Sequence, residues 1–384
     1  MAVKVMYYVQ HLLGIGHVAR SLAIVKELVR RGDDVTLVMG GGKVSLLDAP
    51  AADLVQLPCV RAADETFKVL IGADGNPIND AWREKRRKSL LETFGRVKPD
   101  VLVIELFPFG RRRFRFELIP LLEAARRSDP RPGVVSSVRD ILVDKGRPER
   151  ARETAEWVEA YFDAVLVHGD PSLIPFERTF PEAPRIADKI RYTGYVIDGE
   201  RLKGASAAAP GGNGVLVSSG GGVVGEKLLR TALAARPLSA LKSSPWRLLA
   251  GPNMAEDEFN RLRSEAGEGI TVERARSDFV SLLADCSVSV SQGGYNTVME
   301  VLATGTRSVI VPFSAGGESE QTLRARLLEE RGLVKVLAEE ALNPESLAKA
   351  LDLVIEEPKA AGDGIDLGGA ETSARVISAL AKPL

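Results

Sequence analysis

Cysteine and histidine are scarce in this chain of 384 residues, and their scarcity limits the chemistry open to it. The 2 cysteines, Cys59 and Cys286, are far apart in sequence. They make neither a metal-ligand pattern nor a disulfide framework, which fits a reducing cytoplasm. Only 3 histidines are present: His11, His17 and His168. Charge of one sign is missing too. The 51 basic and 52 acidic side chains leave a net −1, so no global field points to nucleic acid. No apolar run reaches the roughly 18 residues that cross a bilayer. The opening MAVKVMYYVQ lacks the three regions of a signal peptide and reads as a buried strand. What remains is ordinary globular composition, 45% hydrophobic and 27% charged, in a chain too long for one comfortable core. The expectation is a cytoplasmic protein of two domains.

Strand and helix alternate along both halves. VKVMYYV, DVTLVM, VLVIEL (101–106), VVSSV (134–138) and AVLVHG (164–169) are short Val/Ile/Leu runs. Segments at helical spacing lie between them, such as VARSLAIVKELVRRG, WREKRRKSLLETFGRV and FELIPLLEAARRS. Unbroken apolar strands between helices predict a parallel sheet covered on both faces. The same reading restarts at residue 214 with GVLVSSGGG, WRLLAG, ITVERA, SVSVSQGG and SVIVPF. The fold class is therefore α/β, with two Rossmann-like parallel-sheet domains. The first spans 1–197 and the second 214–369. The stretch 198–213, DGERLKGASAAAPGGN, has linker composition. DGIDLGG (363–369) reads as a second flexible stretch. After it, an amphipathic helix near 370–384 is expected to pack back on the first domain, being too short to stand alone.

The segment 10–23, QHLLGIGHVARSLA, contains G-x-G-x-x-A from Gly14 to Ala19. A dinucleotide fingerprint also needs an acid at the end of the second strand to hold the ribose. That strand ends in Met39-Gly40-Gly41-Gly42, so the fingerprint fails its own test. What is left is a tight turn at the carboxyl end of a first strand, where open α/β sheets bind ligands, and it carries His17. A neutral imidazole there is suited to take a proton from a hydroxyl. Helix capping or filling a pocket is the alternative. His11 and His168 read as structural, His11 with a substrate contact as the alternative.

Residues 292–324, QGGYNTVMEVLATGTRSVIVPFSAGGESEQTLR, carry the stronger pattern. Gly293, Gly294, Thr297, Glu300, Leu302, Ala303, Gly305, Val311, Pro312, Glu320 and Gln321 match G-G-x-x-T-x-x-E-x-L-A-x-G, a V-P strand end and E-Q. The segment resembles the donor-binding region of GT-B nucleotide-sugar glycosyltransferases, especially the inverting group that includes MurG and the diacylglycerol sugar transferases. The opening G-x-G-H-x-x-R is similar to the amino-terminal loop of that group. Helix-start N–H groups after Gly293-Gly294 suit a diphosphate on physical grounds alone. The resemblance implies that Glu300 accepts hydrogen bonds from ribose hydroxyls and that Glu320 and Gln321 read the sugar. It places Tyr295, Asn296 and Thr297 at the donor, and Arg276 on the segment passing the base. Ser219 and Gly220, in VSSGGGVVGE (217–226), offer a second anion contact, with a plain βα turn as the alternative. The first domain then binds the acceptor and the second the donor, the two facing across a cleft.

Eight residues before Glu300 stands Gln292, where one retaining group carries the first glutamate of E-x7-E. That departure, with no D-x-D at a strand end, implies inversion without a metal or other cofactor. His17 is then the general base, and Glu105, ending VLVIEL, is the carboxylate that orients it. Glu105 as a helix-capping or structural acid is the alternative. The acceptor is a hydroxyl compound, with a lipid-linked substrate or a cell-surface glycan among the options. Its contacts are Gly14, Gly16, Arg139 and Asp140. FPFGRRRFRFE (107–117) sets Arg111, Arg112, Arg113 and Arg115 beside aromatics, a pattern open to nucleic acid, a membrane surface or a plain helix start. Cations at a helix start oppose its dipole and call for an anionic neighbour. The expectation settles on no nucleic acid, with peripheral association at the inner face of the membrane as an option. WREKRRK (82–88) reads as a solvated helix face. A nucleotide-sugar 2-epimerase and a non-catalytic nucleotide-sugar-binding protein are the rival readings.

Overall fold

The computed structural model describes residues 2–12, 16–42, 52–63, 69–142, 147–205, 214–220, 225–252, 254–313, 320–357 and 364–381. They form two compact units, Met1–Val196 with Asp366–Leu384, and Ile197–Ile365.

The first unit is built on strands β1 (Lys4–Val9), β2 (Asp34–Met39), β3 (Asp53–Gln56), β4 (Val60–Ala62), β5 (Leu70–Gly72), β6 (Val101–Glu105), β7 (Gly133–Arg139), β8 (Ala164–His168) and β9 (Ile190–Tyr192). Its helices are α1 (Gly16–Arg30), α2 (Asp80–Val97), α3 (Arg115–Arg127) and α4 (Pro148–Tyr161). Seven strands make one parallel sheet in the order β3-β2-β1-β6-β7-β8-β9. The sequence predicts its five central strands. All of β6 is buried, and its side chains alternate between two cores: Leu102 and Ile104 enter one, Val101 and Val103 the other. A strand covered on both faces needs such an unbroken apolar run. The edge strand β3 escapes prediction because DLVQ is short and mostly exposed. The β4–β5 pair is antiparallel and three residues long on each side.

Two sequence expectations change here. Arg86, read as part of a solvated face, is fully buried. Its guanidinium donates to Glu117 Oε2 (2.7 Å), Gln10 Oε1 (2.6 Å) and the carbonyls of Gly40 (2.9 Å) and Pro58 (2.6 Å). The neighbouring Arg83, Glu84, Lys85 and Lys88 are exposed as expected. The glycine-rich stretch before the last helix is also pinned rather than loose at 366–369. Tyr195 N–H donates to the Asp366 carbonyl (2.7 Å), and Gly369 N–H to the Tyr195 carbonyl (3.0 Å). A Cβ at Gly369 would overlap the carbonyl oxygen of Gly194, so only glycine allows this approach. The terminal helix Gly369–Ala379 then packs on α1, burying Ala374 and Ile377 beside Val18, Leu22 and Val25, and Ser378 Oγ donates to Asp33 Oδ2 (2.6 Å).

The second unit starts with α5 (Gly199–Ala205), which lies in the stretch read as linker; residues 206–213 are outside the described set. It continues with β10 (Val215–Ser218), α6 (Glu226–Ala235), β11 (Trp246–Ala250), α7 (Glu256–Glu265), β12 (Ile270–Arg274), α8 (Phe279–Asp285), β13 (Val288–Ser291), α9 (Tyr295–Thr304), β14 (Ser308–Ile310), α10 (Glu320–Glu330), β15 (Lys335–Val336) and α11 (Pro344–Glu356). Its six strands form a parallel sheet in the order β12-β11-β10-β13-β14-β15. Both sheets have a switch point, where the chain returns past its first strand: β1 beside β6 in one unit and β10 beside β13 in the other. Loops leave such a pair in opposite directions and open a crevice at the carboxyl ends of the strands.

Candidate active site

At the switch point of the first unit, Glu105 ends β6 and His17 stands at the start of α1, just past β1. His17 Nδ1 lies 2.6 Å from Glu105 Oε1. Arg20, one turn further along α1, donates to the same oxygen at 2.7 Å. The bond to the carboxylate assigns the proton of the neutral ring to Nδ1 and leaves Nε2 as a free base. Burial pushes the His17 pKa down to about 4, against the upward pull of Glu105. Burial also resists ionisation of Glu105, but His17, Arg20 and Arg111 overcome it and hold that carboxyl at about 2. At neutral pH the pair is therefore neutral imidazole and carboxylate. The His17 side chain keeps 19% exposure, whereas Glu105 has none and its Oε2 is buried without a hydrogen-bond partner among the described residues.

Around the dyad, Gly16 opens α1, and Gly14 lies outside the described residues. His11 is buried against Gly41, whose Cβ would overlap the ring; burial first and Arg111 second lower its pKa. The glycines ending β2 thus serve close packing here. Arg139 ends β7. Asp140 is buried and accepts a hydrogen bond from Tyr195 Oη (3.0 Å), so its carboxylate faces the interior of the unit. His168 is buried between Ser137 Oγ (2.7 Å) and Thr193 Oγ1 (3.0 Å), as a structural histidine should be.

At the switch point of the second unit, Gly293-Gly294 leave β13 and α9 begins, with Gly294 as its N-cap. The first turn carries Tyr295, Asn296 and Thr297. Tyr295 is buried under the Arg324 guanidinium, 5.2 Å from ring centre to Cζ. Arg324 donates to Glu320 Oε1 (3.3 Å), and Gln321 Oε1 accepts from Phe313 N–H (3.1 Å). The E-Q pair is thus held at the start of α10, beside the start of α9. Glu300, one turn and a half along α9, is 9% exposed. Burial raises its pKa to about 7; Arg201 opposes this and Asp198 adds to it. Arg201 Nη1 lies 2.9 Å from Glu300 Oε1, and Nη2 donates to the Ser277 carbonyl (3.0 Å). Ser219 is buried after β10, its Oγ accepting from Gly251 N–H (2.9 Å) and donating to the Leu249 carbonyl (3.3 Å). Gly220 beside it has φ +68. Arg276 is clamped on the surface by Asp278 (2.8 and 2.7 Å) and Glu273 (3.1 Å), which hold its pKa above the usual range.

Residues 215–364 match the glycosyltransferase family 28 C-terminal domain. A glycosyltransferase of Methanosarcina mazei, itself uncharacterized, is 21% identical over 361 residues, covering 90% of this chain and 88% of its own. The UDP-N-acetylglucosamine--N-acetylmuramyl-(pentapeptide) pyrophosphoryl-undecaprenol N-acetylglucosamine transferase of Rhodospirillum rubrum is 26% identical over 354 residues, 89% of this chain and 82% of that one. The crystal structure of CalG4, the calicheamicin glycosyltransferase, superposes with a TM-score of 0.61 at 18% identity over 100% of this chain and 96% of that one. The chain is a glycosyltransferase with the GT-B fold.

Within this glycosyltransferase, the structure brings together the sequence-predicted His17 and Glu105 in one unit, and Gly293, Gly294, Tyr295 to Thr297, Glu300, Glu320 and Gln321 in the other. Three arginines of the two crevices escaped assignment. Arg20 is the R of G-x-G-H-x-x-R, and its i,i+3 spacing from His17 was a usable signal. Arg111 was one of four cations in a basic run. Arg201 lies in a stretch of linker composition, which gave no signal. No group of three or more His, Cys, Asp or Glu is arranged to hold a metal among the described residues. Within the same set, no helix is long and apolar enough to cross a membrane.

Proposed function

We propose that this glycosyltransferase transfers a sugar from a UDP-sugar to a hydroxyl acceptor with inversion, without a metal ion or other cofactor. The observation that carries the reading is the His17–Glu105 pair at 2.6 Å, with a neutral imidazole whose Nε2 has no partner among the described residues. The acceptor hydroxyl gives its proton to Nε2 as its oxygen attacks the anomeric carbon. The bond from that carbon to the β-phosphate oxygen breaks on the opposite side, and UDP leaves with the electron pair. The imidazolium so formed is stabilised by the carboxylate of Glu105. The start of α9 holds the diphosphate through its N–H groups and dipole. Glu300 accepts the ribose hydroxyls, and Glu320 and Gln321 read the sugar.

The activity of the Rhodospirillum relative, with a UDP-sugar donor and a lipid-linked acceptor, supports UDP as the nucleotide and a lipid-linked hydroxyl as the acceptor. Gln292, in place of the first glutamate of E-x7-E, supports inversion. The enzyme then works as a peripheral protein on the inner face of the membrane and has no nucleic-acid partner. The test is incubation with UDP-N-acetylglucosamine and a membrane lipid extract, with and without EDTA, and NMR of the anomeric proton of the product. The expected product has the configuration opposite to the donor and forms equally in EDTA. Retained configuration, or loss of activity in EDTA, overturns the corresponding part of the reading. Epimerised donor without any acceptor overturns transfer altogether.

A further inference from the structure

Arg324, on α10, takes no part in the mechanism above, yet its side chain is fully buried. A guanidinium stays charged at any pH at which proteins fold, so burying one carries a desolvation cost. An apolar side chain of similar volume would pack the interior at least as well. What the arginine adds is found in the groups its charge meets.

Two of those groups stand at the proposed donor site. Arg324 Nη1 donates to Glu320 Oε1 at 3.3 Å, one turn back along α10. The guanidinium carbon also lies 5.2 Å from the ring centre of Tyr295, the first residue of α9. The face of an aromatic ring attracts a cation, and Tyr295 is buried against this one. The backbone brings the same two helix starts together: a Cβ on Gly293 would lie 3.2 Å from Gln321 Cβ and 3.3 Å from the Gln321 carbonyl oxygen. Arg324 therefore stands behind both starts. It joins the helix proposed to hold the diphosphate to the acid proposed to read the sugar.

Glu320 differs from Arg324 in exposure, for its side chain keeps 9%. A long carboxylate at the edge of a crevice samples several rotamers, and a ligand that needs one of them must meet the entropy of fixing it. A charge-assisted hydrogen bond from a buried, rigid fork fixes it beforehand. The pairing also settles what the group can do. A carboxylate only accepts hydrogen bonds, so its match on a sugar is a hydroxyl that donates. Gln321 is fixed in the complementary sense: its Oε1 accepts from Phe313 N–H at 3.1 Å, which leaves the NH₂ group as its donor.

We propose that Arg324 is a positioning residue for the donor sugar. Acting through Glu320, it holds that carboxylate ready to accept a sugar hydroxyl, and so strengthens binding of the sugar but not of the nucleotide. The proposal rests on the reading of Glu320 as a sugar contact and deepens it.

The test is calorimetry of the full chain with UDP and, separately, with UDP-glucose. UDP carries no sugar, so the two ligands separate the two contributions. Arg324→Met should weaken UDP-glucose by about tenfold and leave UDP within about twofold of wild type. In the Glu320→Gln background the same substitution should change UDP-glucose affinity by less than about twofold, because its route is already cut. That double variant leaves neither charge alone in the interior, which protects its fold. Arg324→Lys keeps a cation but loses the fork, and should weaken UDP-glucose by about threefold with UDP unchanged. A parallel loss of UDP and UDP-glucose in the Met and Lys variants makes Arg324 a structural residue and overturns the proposal. Equal losses with and without the Glu320 carboxylate overturn it too, since Arg324 then does not act through that group. If Glu320→Gln weakens UDP-glucose and Arg324→Met does not, the proposal fails and the reading of Glu320 stands. If Glu320→Gln leaves UDP-glucose binding at the wild-type value, the reading of Glu320 fails and takes the proposal with it.

Discussion

In the first unit, the carboxyl ends of the switch-point strands carry ionisable side chains: His17 and Arg20 on one oxygen of Glu105, with Arg111 close by. In the second unit, the equivalent place carries Gly293, Gly294 and the opening turn of a helix. The wiring of the two sheets is the same, with an outward run of strands and a return past the first. What differs is the material placed at the crevice. A base must change protonation during reaction, so it needs a side chain whose pKa the surroundings can tune. A diphosphate does not change charge in the binding step, and main-chain N–H groups plus a helix dipole suit it without any titrating group. Glu300 is the exception in the second unit, a buried carboxylate whose pKa sits near 7.

The comparison predicts a split between chemistry and binding. His17→Ala should lower kcat by roughly 10²–10⁴, the usual worth of a positioned general base, while the donor Kd by calorimetry stays within about twofold of wild type. A parallel loss of donor binding would make His17 a donor contact and dissolve the contrast between the units. Arg86→Ala asks how far the first unit depends on buried charge below its crevice. Removing one partner of a buried pair costs about 3–5 kcal/mol, and the variant should lose that much in urea denaturation. A loss under about 1 kcal/mol would mean the Glu117 network is incidental to the fold.

Glu300→Ala probes the exception. A carboxylate accepting hydroxyl hydrogen bonds is worth on the order of 2–3 kcal/mol, so affinity for UDP-glucose should fall by about 30- to 150-fold. Unchanged affinity for every nucleotide sugar would remove Glu300 from the donor site. The smallest effect concerns protonation. Because burial raises the Glu300 pKa to about 7, the donor-free protein holds a proton there below that pH, and binding through the carboxylate must release it. Affinity for UDP-glucose, which does not titrate in this range, should rise as the pH goes from 6 to 8. Arg201 pulls the pKa down, so Arg201→Ala should move the midpoint upward and weaken binding at pH 7 by less than tenfold. A pH-independent Kd would show that the donor does not read the charge of Glu300. By contrast, His17 stays neutral across this whole range, and its own acid limb in kcat is expected only as the pH falls towards about 4.

Legibility in the sequence follows contact distance. The run from Gly293 to Glu300 occupies one turn and one helix, so sequence neighbours are spatial neighbours and a spaced pattern suffices. His17 and Glu105 are 88 residues apart, yet both were legible, because each sits at the carboxyl end of an unmistakably apolar central strand. Arg86 was misread because its neighbours on α2 are exposed cations; the usable signal was its place four and eight residues before the buried Leu90 and Phe94. Arg201 was missed because its helix is seven residues long and its composition is that of a linker. Arg111 was visible only as one of several arginines; what sets it apart is a left-handed backbone angle and its place near Glu105, and composition records neither.

The terminal helix has a consequence for biosynthesis. Strands β1 to β9 emerge from the ribosome first, but one part of the core around α1 is completed by Ala374 and Ile377, made after the whole second unit. The second unit is continuous in the chain and can complete its core while the first still waits for its last piece. The unit begun first is finished last. A nascent chain paused anywhere between residues 197 and 369 therefore presents a sticky, half-closed first unit to the cell, and truncated expression of residues 1–196 should give a product that needs a chaperone, or the missing helix supplied as a peptide, to stay in solution.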